Sequence, residues 1–159
     1  MIEITDIPDW CVLLAKKRAE KLGILRNSIT NGEGNIVGYL GQIIITRYLK
    51  AEDVDMFDYD VMKKGIRYEV KTKRCNSKPL MDYDCSVYKS NATQQCDYYV
   101  FVRVLSDFSK AWILGKKSPE QYFKQARFCK KGEYDIKSNL GFLYKGDSYN
   151  LAIKELDQI

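Results

Sequence analysis

The sequence predicts a mixed α/β fold in which helices flank a central mixed β-sheet. Three observations support this class. Residues 35–49 carry apolar side chains at helical spacing, residues 57–72 hold two alternating runs around a Gly-containing turn, and residues 98–105 form an uninterrupted β-rich run. The 159 residues contain no internal repeat and no Pro/Gly/Ser-rich linker, so we expect one domain over residues 1–159.

The first helix is predicted over residues 7–22, where Pro8 and Asp9 suit a first turn and Gly23 suits the end. A polar loop is predicted over residues 27–34. The inward face of this helix is expected to consist of four residues: Trp10, Leu13, Leu14 and Ala15.

A second helix is predicted over residues 35–49, where apolar residues recur every three or four positions. Gly38 and Gly41 lie near its apolar face, although a glycine inside a helix costs up to about 1 kcal/mol relative to alanine. Two such residues indicate that another part of the chain approaches this helix closely.

A β-hairpin is predicted after the second helix. Residues 57–62 and 66–72 both alternate, and Lys63-Lys64-Gly65 forms the turn between them. Residues 75–95 are irregular and polar, with a helix in part of this segment as an alternative. The remaining predicted elements are two strands, a short capped helix and a last strand: residues 98–105, 110–114, a helix that opens at Ser118-Pro119, and 149–153.

The absence of histidine limits the chemistry that this chain can perform. It excludes Ser-His-Asp and Cys-His catalysis, histidine general bases and every zinc site that contains histidine. The five cysteines show no CxxC spacing and no secretory signal precedes them, so we interpret them as reduced thiols. Catalysis would have to rely on carboxylates, lysine, tyrosine or cysteine, together with a metal that prefers oxygen ligands.

The positive charge is concentrated in the C-terminal two-thirds of the chain. Residues 1–60 hold 7 basic and 10 acidic residues, whereas residues 61–159 hold 19 basic and 11 acidic residues. This distribution fits a surface that binds a polyanion, and it fits an ordinary lysine-rich surface equally well. No apolar run reaches the roughly 20 residues of a membrane span, and the N-terminus lacks a signal-peptide pattern, so we expect a cytoplasmic protein without membrane contact.

The predicted hairpin carries the residues that are best suited to catalysis. Side chains two residues apart on a strand face the same side, so Glu69 and Lys71 point together while Val70 faces the apolar side. If the turn is centred on Lys64, Asp60 lies within one residue of Glu69 across the hairpin. Two carboxylates and the Val70 carbonyl can bind Mg²⁺ or Mn²⁺, and Lys71 can orient a water or stabilise charge on a phosphate. The same residues also fit a solvated hairpin face, whose cross-strand pairs contribute only about 0.2–1 kcal/mol each.

The order of these motifs resembles the PD-(D/E)XK nuclease superfamily, which has the restriction-endonuclease-like fold with an αβββαβ core. Asp60 matches the first catalytic aspartate of this family, and Glu69-Val70-Lys71 matches its E-x-K motif. The second helix resembles the first core helix. The strand at 98–105, with Gln94-Gln95-Cys96-Asp97 before it, resembles a later helix end and strand, as in short phage-type members. The resemblance covers about residues 30–115, which leaves an N-terminal helix and a C-terminal extension outside the core.

The resemblance implies a metal-dependent deoxyribonuclease that hydrolyses DNA phosphodiester bonds, with endonuclease activity favoured over exonuclease activity. It implies that Asp60, Glu69 and the Val70 carbonyl hold Mg²⁺ or Mn²⁺, that Lys71 positions the attacking water, and that the products are a 5′-phosphate and a 3′-hydroxyl. Family members often cleave duplexes as homodimers, so a homodimer is an open alternative. A nucleic-acid-binding module of the same fold with weak or no activity is the second interpretation, and an interaction domain with a basic surface is the third.

Four further residues are supporting candidates for the site. Many family members carry Glu at the position of Gln42, where a neutral amide can bind a metal only weakly or hold a metal-bound water. Glu33, in the preceding loop, could supply the missing charge. Asp58 is the alternative to Asp60, and Gln95 belongs to a segment that is expected to border the site. The DNA-binding candidates are basic or amide side chains that follow the catalytic strand: Lys73, Arg74, Lys78, Lys89 and Asn91.

Overall fold

The computed structural model describes residues 1–22, 33–135 and 142–159. The predicted helix end at Gly23 and most of the predicted loop at 27–34 therefore lie outside the described residues. The helices and strands have the following bounds: β1 (Ile2–Ile4), α1 (Asp9–Leu22), α2 (Glu33–Leu49), β2 (Glu52–Asp53), β3 (Val61–Lys63), β4 (Ile66–Cys75), β5 (Asp84–Tyr88), β6 (Tyr98–Leu105), β7 (Ala111–Lys117), α3 (Pro119–Gln125), β8 (Arg127–Cys129) and β9 (Ser148–Ala152).

Six of these strands form a mixed sheet in the order β1-β7-β6-β4-β3-β2. Strands β4 and β6 pair in parallel at its centre, and the other neighbouring strands pair antiparallel. A second sheet of three strands has the order β5-β9-β8. The predicted α/β class, with a central mixed sheet and flanking helices, is therefore confirmed.

Each face of the six-stranded sheet has its own apolar core. On one face, helices α1 and α2 pack against β4, β6 and β7 through residues such as Leu40, Val70 and Val102. On the other face, α3 and the three-stranded sheet pack against Tyr99 and Phe101 of β6. Each large apolar side chain buried in this way stabilises the fold by about 1.5–3 kcal/mol. Strand β4 therefore lies between two packed layers, and neither of its faces is open to solvent along its whole length.

The first two helices lie where the sequence predicts them, and one of the two glycines near the apolar face of α2 makes the predicted close approach. Helices α1 and α2 begin within two residues of the predicted starts, and Glu33 belongs to the first turn of α2 instead of the preceding loop. A Cβ atom at Gly41 would collide with the side chain of Thr72 in β4, which confirms the predicted close approach, whereas a Cβ at Gly38 would meet nothing. No helix in the described part of the chain combines the length and the apolar character that a bilayer crossing requires.

The predicted turn closes the hairpin of β3 and β4. Lys64 and Gly65 adopt positive φ values of 51° and 79°, which is the two-residue turn whose twist matches that of paired strands. Because Val61 pairs with Tyr68, the preceding residue, Asp60, lies level with Glu69. The hairpin register therefore brings the two predicted carboxylates together.

The structure corrects three of the predicted elements. The strand predicted over 57–62 begins only at Val61, because the Val54 and Asp55 N–H groups both donate to the Asp60 carbonyl and close a loop. The segment 75–95, predicted as irregular, contains β5 and a three-residue 3-10 helix, and no α-helix ends at the Gln94-Gln95-Cys96-Asp97 run. Helix α1 packs against α2 along a narrow stripe, so that Trp10 and Leu13 of the predicted inward face are exposed. The buried residues of α1 are Cys11 and Ala15.

The five cysteines are all free, as the sequence predicts. Burial raises the pKa of Cys85 and of Cys96 to about 12. Both side chains are therefore thiols at neutral pH, and neither provides a thiolate nucleophile.

Candidate active site

The candidate active site lies on the face of β4 that points away from the helices. Glu69 and Lys71 pair with Tyr99 and Phe101 of β6, which belong to the core beneath the three-stranded sheet. The Lys71 amine lies 5.7 Å from the centre of the Tyr99 ring. Val70 belongs to the opposite core, as the alternation of the strand predicts.

Lys71, Glu69 and Gln94 form a closed triangle of hydrogen bonds. The Lys71 Nζ donates to Glu69 Oε1 and to Gln94 Oε1, each at 2.7 Å. Gln94 Nε2 in turn donates to Glu69 Oε1 at 2.9 Å and to the Phe57 carbonyl at 2.7 Å. Glu69 and Gln94 are buried. The amine and the carboxylate are thus held in one orientation by an amide that bonds to both.

Asp60 completes the acidic pair. Its Oδ2 accepts a hydrogen bond from the Val70 N–H at 2.8 Å, and its carboxyl is near enough to Glu69 for the charge of Glu69 to affect its pKa. Burial, and then the charge of Glu69, raise the pKa of Asp60 to about 8. Burial also raises the pKa of Glu69, although Lys71 opposes that shift. The charge of Glu69 therefore disfavours the ionisation of Asp60, as expected for close carboxyl pairs.

One oxygen of the pair has no hydrogen-bond partner. Glu69 Oε1 accepts two hydrogen bonds, whereas Glu69 Oε2 is buried and accepts none. A buried, unpartnered carboxylate oxygen beside a second carboxylate is a favourable position for a proton or a hard cation. The donor set therefore fits Mg²⁺ or Mn²⁺. Among the described residues no group of three or more His, Cys, Asp or Glu side chains is placed to hold a metal ion, so those residues offer two carboxylates at this position.

The four supporting candidates occupy different places. Gln42 Nε2 donates to Asp53 Oδ1 at 2.7 Å and to the Asp60 carbonyl at 3.4 Å, and the Arg18 guanidinium donates to the other Asp53 oxygen at 2.6 Å. Gln42 therefore supports the backbone of Asp60. Glu33 lies in the first turn of α2, and its side chain is outside the described residues.

Asp58 and Gln95 lie beside the acidic pair without joining it. Asp58 Oδ1 accepts a hydrogen bond from the Gln95 N–H at 3.1 Å, and the exposed Gln95 amide donates to the Thr93 carbonyl. Of the two predicted aspartates, Asp60 is the one that reaches Glu69. The residue that borders the site is Gln94, which the sequence analysis did not single out. No signal in the sequence distinguishes it from the adjacent Gln95.

The DNA-binding candidates do not share one face. Lys73 follows Lys71 on the same side of β4, and desolvation together with the charge of Arg103 lowers the pKa of its amine. Arg74 points to the opposite face, over the Phe108 ring. The other three candidates have contacts in separate places: Lys78 with Glu3 at 3.8 Å, Lys89 over the Phe128 ring, and the Asn91 carbonyl with the Tyr99 hydroxyl.

Comparisons with protein-family models and with curated proteins find no match to this chain. The functional interpretation therefore depends on the geometry of the acidic pair and its lysine.

Proposed function

We propose that this chain is a metal-dependent nuclease that hydrolyses DNA phosphodiester bonds, with Asp60, Glu69 and Lys71 as its catalytic residues. The observation that carries this proposal is the convergence of two enclosed carboxylates and one amine, with Glu69 Oε2 left unpartnered. Removing a charged group from water costs several kcal/mol per ion, so a second buried acid does not contribute to stability. Such groups are typical of sites that bind a cation or activate a water.

The order of the elements supports the finer proposal of a restriction-endonuclease-like αβββαβ core over about residues 30–115. Helix α2 is followed by the antiparallel strands β2, β3 and β4, and β6 then pairs in parallel with β4. The second helix of such a core would be reduced here to the 3-10 helix Lys89–Asn91. In this proposal β7 extends the six-stranded sheet next to β6, and the three-stranded sheet is an addition that covers the face with the acidic pair.

The carboxylates of Asp60 and Glu69 would hold Mg²⁺ or Mn²⁺, and the Val70 carbonyl is the third candidate ligand. When bound, the metal would acidify the attacking water and neutralise charge on the phosphate. The Lys71 amine would orient that water or the phosphate oxygen, because two hydrogen bonds already fix its position. The Val70 N–H would hold the Asp60 carboxylate in place. The products would be a 5′-phosphate and a 3′-hydroxyl, as the resemblance implies.

A cleavage assay with Lys71→Ala tests this proposal. We expect the wild type to cut linear, circular or branched DNA with Mg²⁺ or Mn²⁺ and to be inactive in EDTA. Removing the amine should lower the rate about 10²–10³-fold, as the loss of one preorganised charged donor does. Lys124→Ala, a change at an exposed lysine of α3, is the matched control and should leave the rate unchanged. Full activity of Lys71→Ala, or activity in EDTA, would contradict the proposal.

Circular DNA also separates the two modes of attack. An endonuclease linearises it, whereas an exonuclease needs an end. Simultaneous cuts in both strands would call for two copies of the chain, so gel filtration of the protein with and without DNA tests the homodimer.

A nucleic-acid-binding module without activity is the second candidate, and Gln42 favours it. The amide is engaged by Asp53 and by the Asp60 carbonyl, so it adds no charge to the acidic pair. This candidate predicts DNA affinity that falls steeply with salt and does not depend on a divalent metal. Tight binding without any cleavage would select it over the nuclease.

A further inference from the structure

The loop that joins β2 to β3 exposes two large apolar side chains next to the acidic pair. Phe57 is 73% exposed and Met56 is 54% exposed. Single exposed apolar side chains are common on protein surfaces, whereas adjacent exposed apolar side chains are typical of binding surfaces. The two residues lie four and three residues before Asp60 along the chain, which places them beside the proposed catalytic centre.

The loop is rigidly attached to the catalytic residues. The Val54 and Asp55 N–H groups donate to the Asp60 carbonyl at 2.9 and 3.1 Å, and the Met56 N–H donates to the Tyr59 carbonyl at 3.0 Å. These bonds close the loop on the backbone of Asp60 itself. They leave the Phe57 ring in solvent while they fix the backbone that carries it.

A single nitrogen joins Phe57 to the acidic pair. Gln94 Nε2 donates to the Phe57 carbonyl at 2.7 Å and to Glu69 Oε1 at 2.9 Å. The Phe57 backbone therefore lies within one side chain of the catalytic carboxylate. A group that contacts the Phe57 ring would be close to a phosphate held at Asp60 and Glu69.

The charges of the loop indicate which part of a nucleic acid would contact it. Residues 51–60 contain five acidic residues and no basic residue, and Asp55 and Asp58 flank the exposed pair. Carboxylates repel phosphate groups, so this loop is unsuited to the DNA backbone. The neutral part of DNA is the base, and every base has a face that stacks on an aromatic ring.

We propose that Phe57 is a base-stacking residue that directs the nuclease to DNA with an unpaired base beside the scissile phosphate. An intact duplex would have to unstack a step before a base could reach the ring, at a cost of a few kcal/mol. A flap, a bulge or a branch point already exposes such a base and avoids this cost. The inference rests on the proposed nuclease function, and it adds the structural class of the substrate.

The test compares kcat/KM on a flapped DNA and on a fully paired duplex of the same sequence. Phe57→Ala removes only an exposed ring, and the backbone bond to Gln94 remains, so the variant should fold. We expect it to lose about tenfold to a hundredfold on the flapped DNA, as alanine replacement of a stacking residue does. The loss on the paired duplex should be several-fold smaller. Phe57→Trp should retain the preference, and Leu13→Ala, a 64% exposed apolar residue on α1, should change neither rate.

A binding measurement separates failure of this inference from failure of the nuclease proposal. Fluorescence of a 2-aminopurine base at the flap junction reports stacking without any cleavage, and Phe57→Ala should abolish the change that the wild type produces. If the wild type cuts DNA but Phe57→Ala acts equally on both substrates, the stacking inference is wrong and the nuclease proposal stands. If no DNA is cut but the fluorescence change depends on Phe57, the nuclease proposal is wrong and base stacking stands. Equal fluorescence for the wild type and Phe57→Ala overturns the stacking inference in either case.

Discussion

The two faces of β4 are equally buried and chemically opposite. Val70 is 7% exposed and belongs to the apolar core beneath the helices, whereas Glu69 is 6% exposed, accepts hydrogen bonds from Lys71 and Gln94, and raises the pKa of Asp60. Burial of Val70 stabilises the fold by roughly 1.5–3 kcal/mol, whereas burial of a carboxylate costs several kcal/mol before its partners offset the cost. The helix face of β4 therefore stabilises the fold, whereas stability does not explain why charged groups are buried on the other face.

On the charged face of β4, which carries Glu69 and Lys71, Gln94→Ala is expected to lower the cleavage rate most after Lys71→Ala. The change removes the amide that fixes both the Lys71 amine and Glu69 Oε1, so the geometry of the proposed catalytic site should loosen. We expect kcat to fall about 10–10²-fold with KM nearly unchanged, because a misplacement of about 1 Å can cost that much. Steady-state kinetics of DNA cleavage measure both constants.

The neighbouring glutamine provides the control for this prediction. Gln95 is exposed and its side chain bonds only to the Thr93 carbonyl among the described contacts, so Gln95→Ala should leave both constants unchanged. Equal losses for the two variants would mean that the Gln94 triangle has no special role.

On the helix face, Gly41→Ala should destabilise the protein by about 1–3 kcal/mol, as overpacking of a tight contact does. The new methyl group would collide with the Thr72 side chain, which lies on the same face of β4 as Val70. Gly38→Ala in the same helix meets no neighbour and should stabilise the protein by about 0.5–1 kcal/mol. Urea unfolding of the two variants measures both changes.

The Gly41→Ala variant also tests whether the two faces of β4 affect each other. If the faces are mechanically independent, Gly41→Ala lowers stability while the cleavage rate of the folded protein stays the same. A lower rate in the folded variant would show that a shift of β4 on its helix side moves Glu69 and Lys71.

The titration of the acidic pair provides a separate test of the charged face, measured as stability against pH. Folded Asp60 keeps its proton up to a pKa of about 8, whereas the ordinary value is 3.8. Between these values the folded state binds more protons than the unfolded state, so this group makes the free energy of unfolding fall as pH rises. Asp60→Asn removes this dependence, and its melting temperature should exceed that of the metal-free wild type more at about pH 9 than at about pH 5.

The same variant tests the cation. Mg²⁺ should raise the melting temperature of the wild type near pH 8 and should not raise that of Asp60→Asn. Asp58→Asn makes the same chemical change two residues away and should behave as the wild type does. A pH-independent difference between Asp60→Asn and the wild type would contradict the raised pKa of Asp60.

Most of the fold could be predicted because its signals are local. The periodicity of α2, the turn at Lys64-Gly65 and the β-rich run of β6 each depend on residues that are near in sequence, and all three occur in the structure. Strand β5 could not be predicted in this way. It has only five residues, and its pairing partner, β9, lies more than fifty residues further along the chain.

The site was predictable to the extent that hairpin register determines it. Asp60, Glu69 and Lys71 belong to one hairpin, so alternation and the turn bring them together. Gln94 enters from a crossover whose path the sequence does not reveal, and adjacent Gln94 and Gln95 are indistinguishable by residue type. The contact of Gln42 with Asp53 depends on the strand β2, which has only two residues and no sequence signal of its own.

The parallel pairing of β4 with β6 affects the order in which parts of the chain fold. The hairpin of β3 and β4 is local, and such hairpins form in about 1–10 μs, so Asp60 and Glu69 meet early. Gln94 reaches the acidic pair only after the crossover at residues 76–97 has brought β6 beside β4. Strands that are this far apart in sequence pair slowly, because the intervening loop must close first. A newly made chain would thus hold its acids together before its lysine is fixed. Any activity that depends on the fixed position of the Lys71 amine would therefore appear last during folding.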